Sequence, residues 1–354
     1  MSVRIVSDTK LDFKDVLIRP KRSRVSSRSQ VSLERKYTFP GSGVSWTGVP
    51  IIGSNMDHTG TFDMASALAR HKLLTAIHKF NSLEDWKDFT KKDPEAIEYT
   101  FLTVGIGDEA MKIIQNFGKH LPELKFLCID VANGYNQEVV SFLKRAREQL
   151  PEITIMIGNV VTGEMTEELI LCGADIVKIG IGPGSVCTTR RKTGVGYPQL
   201  SAILECADAA HGLGGYVAAD GGCSEAGDIS KSLCAGADFV MLGGMLAGHQ
   251  ECNGKIIKKD GKDYVRFYGM SSEEAMKKYY GGVASYRASE GKSVNIPFRG
   301  QVENTLLDIL GSIRSTCTYV GAFKVGELSK RATFIRVTAQ LNEVYNEFEV
   351  KGED

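Results

Sequence analysis

Short apolar runs recur along the chain. Each ends in small or polar residues and is followed by a stretch suited to a helix. Eight stand out, at 49–55, 73–79, 99–106, 126–131, 154–160, 175–181, 216–222 and 239–244. They are rich in Val and Ile and do not alternate strictly, which predicts parallel strands buried on both faces. The stretches between them, such as 61–72, 137–149, 163–173 and 198–213, suit amphipathic helices. Eight strand–helix units predict an α/β fold, a (β/α)8 TIM barrel. An open doubly wound sheet is the competitor, but no Gly-x-Gly-x-x-Gly follows the first strand.

The run ends carry a second pattern. They read Asn55-Met56-Asp57, His78-Lys79, Asp130-Val131-Ala132-Asn133, Gly158-Asn159, Gly180 onward to Cys187, Asp220-Gly221-Gly222 and Gly243-Gly244. In a barrel these all fall on the C-terminal face, where such folds keep their active sites. Turn chemistry accounts for the glycines. It accounts less well for the acids and amide just inside the turns, Asp130, Asn159 and Asp220.

After the eighth run the pattern breaks. Residues 255–267, with Asp260-Gly261 at their centre, predict a hairpin. Residues 271–299 hold many glycines and charges and few large apolar side chains, and predict a mobile flap over the site. Helical periodicity resumes at 301–321. The stretch 19–36 is basic, with Arg19, Lys21, Arg22, Arg24, Arg28, Arg35 and Lys36 against Glu34. The chain is expected to form one domain over 1–354.

Composition narrows the function classes. The chain has 354 residues, and Lys+Arg and Asp+Glu stand equal at 43 each, so its overall charge does not make it a polyanion binder. No apolar run is long enough for a bilayer span, and the first ten residues lack the apolar core of a secretory signal. Eight cysteines, at 128, 172, 187, 206, 223, 234, 252 and 317, form no Cys-x-x-Cys pair. Disulfides and structural zinc are not expected, and a reducing cytoplasm is. The six histidines show no metal-ligand spacing. No nucleic-acid or membrane partner is expected.

The chemistry concentrates in Gly182-Pro183-Gly184-Ser185-Val186-Cys187-Thr188-Thr189-Arg190, directly after an apolar run. A thiolate adds well to electron-poor carbons, and its pKa falls near cations and backbone N–H groups. Arg190 and Arg191 supply charge, and Thr188 or Thr189 a hydroxyl to relay a proton. The competing reading is a small core hydrophobe. Asp220-Gly221-Gly222 and Gly243-Gly244 suit a phosphate site of backbone N–H groups, with Asp220 placed for ribose hydroxyls; tight turns are the alternative. In Tyr286-Arg287-Ala288-Ser289-Glu290-Gly291, Glu290 stands beside a glycine hinge. It could read a purine edge or move a proton with a threonine, or be a solvated loop acid. Lys79 and the basic 19–36 stretch could meet a cofactor phosphate, or be solvated surface.

The cysteine loop, continuing through Thr193-Gly194-Val195-Gly196-Tyr197-Pro198-Gln199, resembles the signature of the IMP dehydrogenase/GMP reductase family. So do Asp220-Gly221-Gly222, Phe239-Val240-Met241-Leu242-Gly243-Gly244 and Tyr268-Gly269-Met270-Ser271-Ser272. The resemblance covers nearly the whole chain. Within the family it points to the reductase branch. The barrel units leave no room for the inserted regulatory modules of the dehydrogenases, and the Arg-Tyr pair those enzymes use to activate water is absent. The flap motif, Asp130-Val131-Ala132-Asn133-Gly134-Tyr135 and Gly158-Asn159-Val160-Val161-Thr162-Gly163-Glu164-Met165 resemble the reductases.

The resemblance implies NADPH-dependent reductive deamination of GMP to IMP through a covalent thioimidate at Cys187, with Thr189 and Glu290 assisting the departure of ammonia. It implies purine salvage as the setting. It places GMP against Asp220, Gly221, Gly222, Gly243, Gly244, Gly269, Met270, Ser271, Arg287, Ala288, Ser289 and Gly291. It places NADPH against Lys79, Asp130, Val131, Ala132, Ile181, Gly182, Met270 and Tyr286. The far end of the cofactor would meet Ser27, Arg28, Ser315, Thr316, Cys317 and Thr318 across a boundary in a homotetramer. Carbonyls of Gly182, Gly184 and Cys187, with Arg190, resemble a potassium site. The alternatives are a dehydrogenase lacking its insert, making XMP from IMP and NAD, and a non-catalytic nucleotide- or RNA-binding barrel. The chain departs from the family at His58-Thr59, where Thr-Val is more usual, and no function is assigned to the acidic tail at 346–354.

Overall fold

In the computed structural model, which describes residues 5–338, eight parallel strands close into a barrel. They are β1 (Ile51–Gly53), β2 (Leu74–Ile77), β3 (Thr100–Val104), β4 (Phe126–Asp130), β5 (Thr154–Val160), β6 (Ile176–Ile179), β7 (Tyr216–Asp220) and β8 (Phe239–Leu242). Neighbours in sequence are neighbours in space. The ring closes where Val240, Met241 and Leu242 of β8 lie opposite Ile51, Ile52 and Gly53 of β1.

A helix follows each strand: α1 (Phe62–Ala69), α2 (Leu83–Lys92), α3 (Asp108–His120), α4 (Gln137–Gln149), α5 (Gly163–Leu171), α6 (Gln199–Gly212), α7 (Ala226–Cys234) and α8 (Glu303–Val320). The expected TIM barrel is therefore present. Local chemistry sets several helix starts. Thr61 caps α1 through the Met64 N–H, and Ser82 and Asp85 form a reciprocal capping box on α2. Acids open α2 and lysines close it, matching the helix dipole.

The lack of strict alternation in the strands has a direct cause: both faces are buried. Ile52, Leu74, Ala76, Phe101, Phe126, Met156, Ile176, Phe239 and Met241 pack together in one cluster. Ile77, Leu102, Leu127, Ile129, Ile155, Ile157, Val177 and Ile179 pack in another with the helix residues Phe89, Ile114, Phe142, Leu143 and Leu169.

The hairpin of Arg35–Thr38 and Ser45–Gly48 contributes Tyr37, Phe39 and Trp46 to the first of these clusters. Tyr37 stacks on Phe239 with centroids 4.4 Å apart. The basic stretch 19–36 also packs inward, with Val25, Val31 and Leu33 in one cluster with Ile313, Cys317 and Val320 of α8. Arg35 is committed to Asp238 at 2.9 Å.

The 255–267 expectation matches a hairpin of Ile256–Lys259 and Lys262–Tyr268. Its turn residues Asp260 and Gly261 have φ of 51° and 74°. The stretch 271–299 holds more regular structure than its composition suggests. It contains a helix, Glu273–Tyr280, and a strand, Ser293–Pro297, that pairs antiparallel with Lys262–Tyr268. Only Ala275 and Met276 of that helix are buried, too few to mark it in the sequence. The acidic tail at 346–354 lies outside the described residues.

Candidate active site

Cys187 sits on the loop after β6, its N–H donating to the Gly184 carbonyl at 3.0 Å. The segment around Glu290 runs alongside this loop. Thr188 N–H donates to the Glu290 carbonyl at 2.8 Å, Lys292 N–H donates to the Val186 carbonyl at 2.9 Å, and Cys187 bridges antiparallel to Gly291. This short ladder brings together side chains 101 positions apart. The Cys187 thiol donates to Thr189 Oγ1 at 3.2 Å, and the Thr189 hydroxyl donates to Glu290 Oε2 at 2.6 Å. Thiol, hydroxyl and carboxylate thus form a continuous proton path.

All eight cysteines are free. Burial pushes the thiols of Cys128, Cys206, Cys223, Cys234 and Cys317 up to about 12 and that of Cys252 to about 11, which keeps them protonated and inert. Cys187, by contrast, opens on a cavity of about 620 Å³ at the C-terminal mouth of the barrel.

Beneath this cavity lies an ionic group. Lys178 on β6 is 1% exposed, and its ammonium donates to Asp130 Oδ1 at 2.6 Å and to Asp220 Oδ2 at 2.9 Å. Asn159 Nδ2 donates to the same Asp220 oxygen at 2.9 Å and to the Gly180 carbonyl at 2.8 Å. Burial alone would neutralise Lys178 and Asp130, but the ionic contacts around them outweigh it. The Lys178 pKa is raised by the two carboxylates, and that of Asp130 is held low by Lys178.

The 620 Å³ cavity is lined by Cys187, Thr189, Glu290, Asp220, Gly269, Met270, Ser271, Arg287, Lys79, Asp130, Val131, Ala132, Ile181, Gly182 and Gly184. A neighbouring cavity of about 700 Å³ shares Val186 with it and is lined by Ser185 and Gly244. Cys187, Thr189 and Glu290 line the smaller space and not the larger. A Cβ on Gly244 would stand 2.9 Å from Ser185 Oγ, a close approach that leaves room only for backbone.

The other expected residues lie outside both linings. Gly221, Gly222 and Gly243 are in the turns after β7 and β8, and Ala288, Ser289 and Gly291 flank Glu290. Tyr286 is 90% exposed. Arg28 Nε donates to Ser315 Oγ at 2.7 Å, which joins the two groups expected at the far end of the cofactor. Within the second group Thr316 and Thr318 are part-buried, whereas Cys317 is fully buried. The Cys317 side chain therefore faces the core, and the surface polar groups of that set are Ser315, Thr316 and Thr318.

Among the described residues no group of three or more His, Cys, Asp or Glu side chains could hold a metal ion. A cation in the cysteine loop would have to take carbonyl oxygens. The Arg190 guanidinium is engaged by the Tyr197 carbonyl and lies 3.4 Å from Asp12. Arg190 could therefore join such a site only through its carbonyl. Gly182, at φ +81°, lets the loop pass the Arg190 side chain, whose Cγ would stand 2.6 Å from a Cβ there.

Lys178 was not singled out among the candidates, although its signal was present. A lysine inside an apolar strand is costly unless carboxylates pair with it, and Asp220 lies near the end of the next run while Asp130 lies near the end of the run two strands before.

A family model described as the IMP dehydrogenase / GMP reductase domain matches residues 10–344. The chain is 60% identical to GMP reductase 2 of Homo sapiens over 343 residues, 97% of this chain and 99% of that one. It is 59% identical to GMP reductase 1 of Mus musculus over 342 residues, with the same coverage. It is 60% identical to GMP reductase of Yersinia pestis (strain Pestoides F) over 344 residues, again 97% and 99%.

Proposed function

The chain belongs to the IMP dehydrogenase/GMP reductase family, and from that premise we propose that it is a GMP reductase, converting GMP to IMP and ammonia with NADPH. The observation that carries this is the Cys187–Thr189–Glu290 path at 3.2 and 2.6 Å. The thiol proton passes through Thr189 to Glu290, and the thiolate adds to C2 of the purine. The C2–N bond then breaks, the amine taking back a proton along the same path and leaving as ammonia. A thioimidate on Cys187 remains. When bound, NADPH supplies the hydride that C2 accepts. The C2–S bond breaks, IMP leaves, and the thiolate takes up one proton from solvent to restore the thiol for a further turn.

Asp220 and the turns after β7 and β8 take ribose and phosphate, an assignment supported by the close Gly244–Ser185 approach. Lys79, Asp130, Val131, Ala132, Ile181 and Gly182 line the cofactor side of the cavity, with Asp130 fixed by Lys178. The protein's task is alignment of C2, sulfur and nicotinamide. Carbonyls of Gly182, Gly184 and Cys187 are the proposed potassium ligands. The proposed assembly is a homotetramer, consistent with exposed Leu307 and Tyr319 on α8 beside Arg28 and Ser315. No described helix is long and apolar enough to cross a membrane. The proposed setting is purine salvage in the cytoplasm.

The test is to assay both directions on one preparation. Loss of NADPH absorbance on adding GMP, with ammonia and IMP formed in equal amounts, is the expected result. Formation of XMP from IMP and NAD, with no reaction of GMP, would instead make it a dehydrogenase.

A further inference from the structure

We propose that Asp57 is a positioning residue that locks the flap helix Glu273–Tyr280 to the barrel mouth and so sets the alignment of Glu290 with Cys187. The proposal rests on the reading of the cavity as the GMP-reducing site. Asp57 stands in the loop after β1 and is 1% exposed. Its Oδ2 accepts from Tyr268 Oη at 2.7 Å, Lys278 Nζ at 2.9 Å and Tyr279 Oη at 2.6 Å. All three donors lie more than 200 positions later in the chain. His58 Nδ1 lies 2.7 Å from the other oxygen. Burial disfavours the charge, but His58, Tyr279 and Lys278 outweigh it and hold the carboxyl well below its usual range.

A second grip adjoins the first. The ring of Phe80, next to Lys79, stacks on Tyr279 with centroids 3.5 Å apart and planes 5° from parallel. The helix is therefore held from the loops after β1 and β2 together. Its Met276 and Tyr280 line the 620 Å³ cavity, as do Gly269, Met270 and Ser271 just before it. The Ser271 carbonyl accepts the Glu290 N–H at 3.0 Å. A route of hydrogen bonds and backbone thus runs from Asp57 through the helix and its cap Ser272 to Ser271, Glu290, Thr189 and Cys187. Asp57 does not line the cavity, so it acts through these groups without touching substrate. His58, where this chain departs from the usual family residue, supplies the contact to Asp57 Oδ1.

The experiment compares Asp57→Asn and Tyr279→Phe with the parent protein, reading kcat, KM for GMP, Tm and amide hydrogen exchange. For Asp57→Asn, kcat should fall ~10- to 100-fold, the scale of a small misalignment, with KM moving less than about threefold because ribose and phosphate are held elsewhere. Exchange over 273–280 should rise at least ~10-fold with the barrel strands unmoved. Tyr279→Phe keeps the stack but loses one donor, and should change both in the same direction by less. Unchanged exchange in the helix, unchanged kcat, or exchange raised equally across the barrel would overturn the lock. If Asp57→Asn fails to fold, Tyr279→Phe decides by the same criteria. Exchange needs no substrate, so a parent protein inert towards GMP would overturn the reading of the site while the lock is still judged.

Discussion

The two ends of the barrel both bury acids, and they use them differently. At the N-terminal end, Asp175 and Asp238 directly precede β6 and β8. Asp175 takes Arg147 at 2.7 Å and the N–H groups of Gly41, Ser42 and Ile155. Asp238 takes Arg35 at 2.9 Å, His211 at 2.8 Å and the Val217 N–H at 3.0 Å. Each acid has its own cation and backbone donors. At the C-terminal end, Asp130 and Asp220 share one lysine and remain partly exposed to the cavity. Saturated acids tie loops to strands. Acids held at one point, with surface left over, are available to a ligand.

This contrast can be broken from either end. The largest effect is expected at the relay. Glu290→Gln removes the proton acceptor and should lower kcat by ~10²- to 10⁴-fold with little change in Tm, as read from steady-state IMP formation and a melting curve. Next, Lys178→Met takes the shared cation from two carboxylates that are partly exposed to the cavity. It should cost about 2–3 kcal/mol of stability, less than a fully buried pair because water screens the acids, and also remove turnover, as checked by denaturant titration alongside the assay.

Asp238→Asn should be felt in stability alone, at about 1–3 kcal/mol, with kcat of the folded protein unchanged. A kcat loss there matching that of Lys178→Met would erase the distinction between the ends.

The smallest effect concerns pH. The hydrogen bond that His211 donates to Asp238 raises the His211 pKa above its usual value, against partial burial. The stabilisation is complete below the unfolded pKa and lost as pH rises through the folded one. His211→Ala should therefore lower Tm more at about pH 6 than at about pH 9. The difference should stay under ~1 kcal/mol, because the ring is partly exposed and screened.

Much of this was legible in the sequence, for physical reasons. The eight strands showed because burial on both faces leaves a continuous apolar run. The observed strands, such as Ile51–Gly53 within 49–55, are shorter because the run ends are turns that pack without joining the ladder. The hairpin of Arg35–Thr38 and Ser45–Gly48 is not legible in the sequence, because its strands alternate over only four residues each. The flap helix was hidden by its two buried side chains. At the site, Cys187 and Thr189 were legible because they are local to one loop. The Glu290 contact depends on a ladder closing over 101 positions, and its chemistry could be named but not its placement. Lys178 and Asp57 act by joining elements distant in sequence, so their meaning emerges only in the fold.

The most direct test of the central claim is turnover by Cys187→Ala, measured as IMP formed from GMP with NADPH in a protein that melts like the parent. A covalent route through this sulfur predicts a loss of ~10⁴-fold or more. Turnover within about tenfold of the parent would contradict it, because no positional or electrostatic role of a thiol replaces a missing nucleophile.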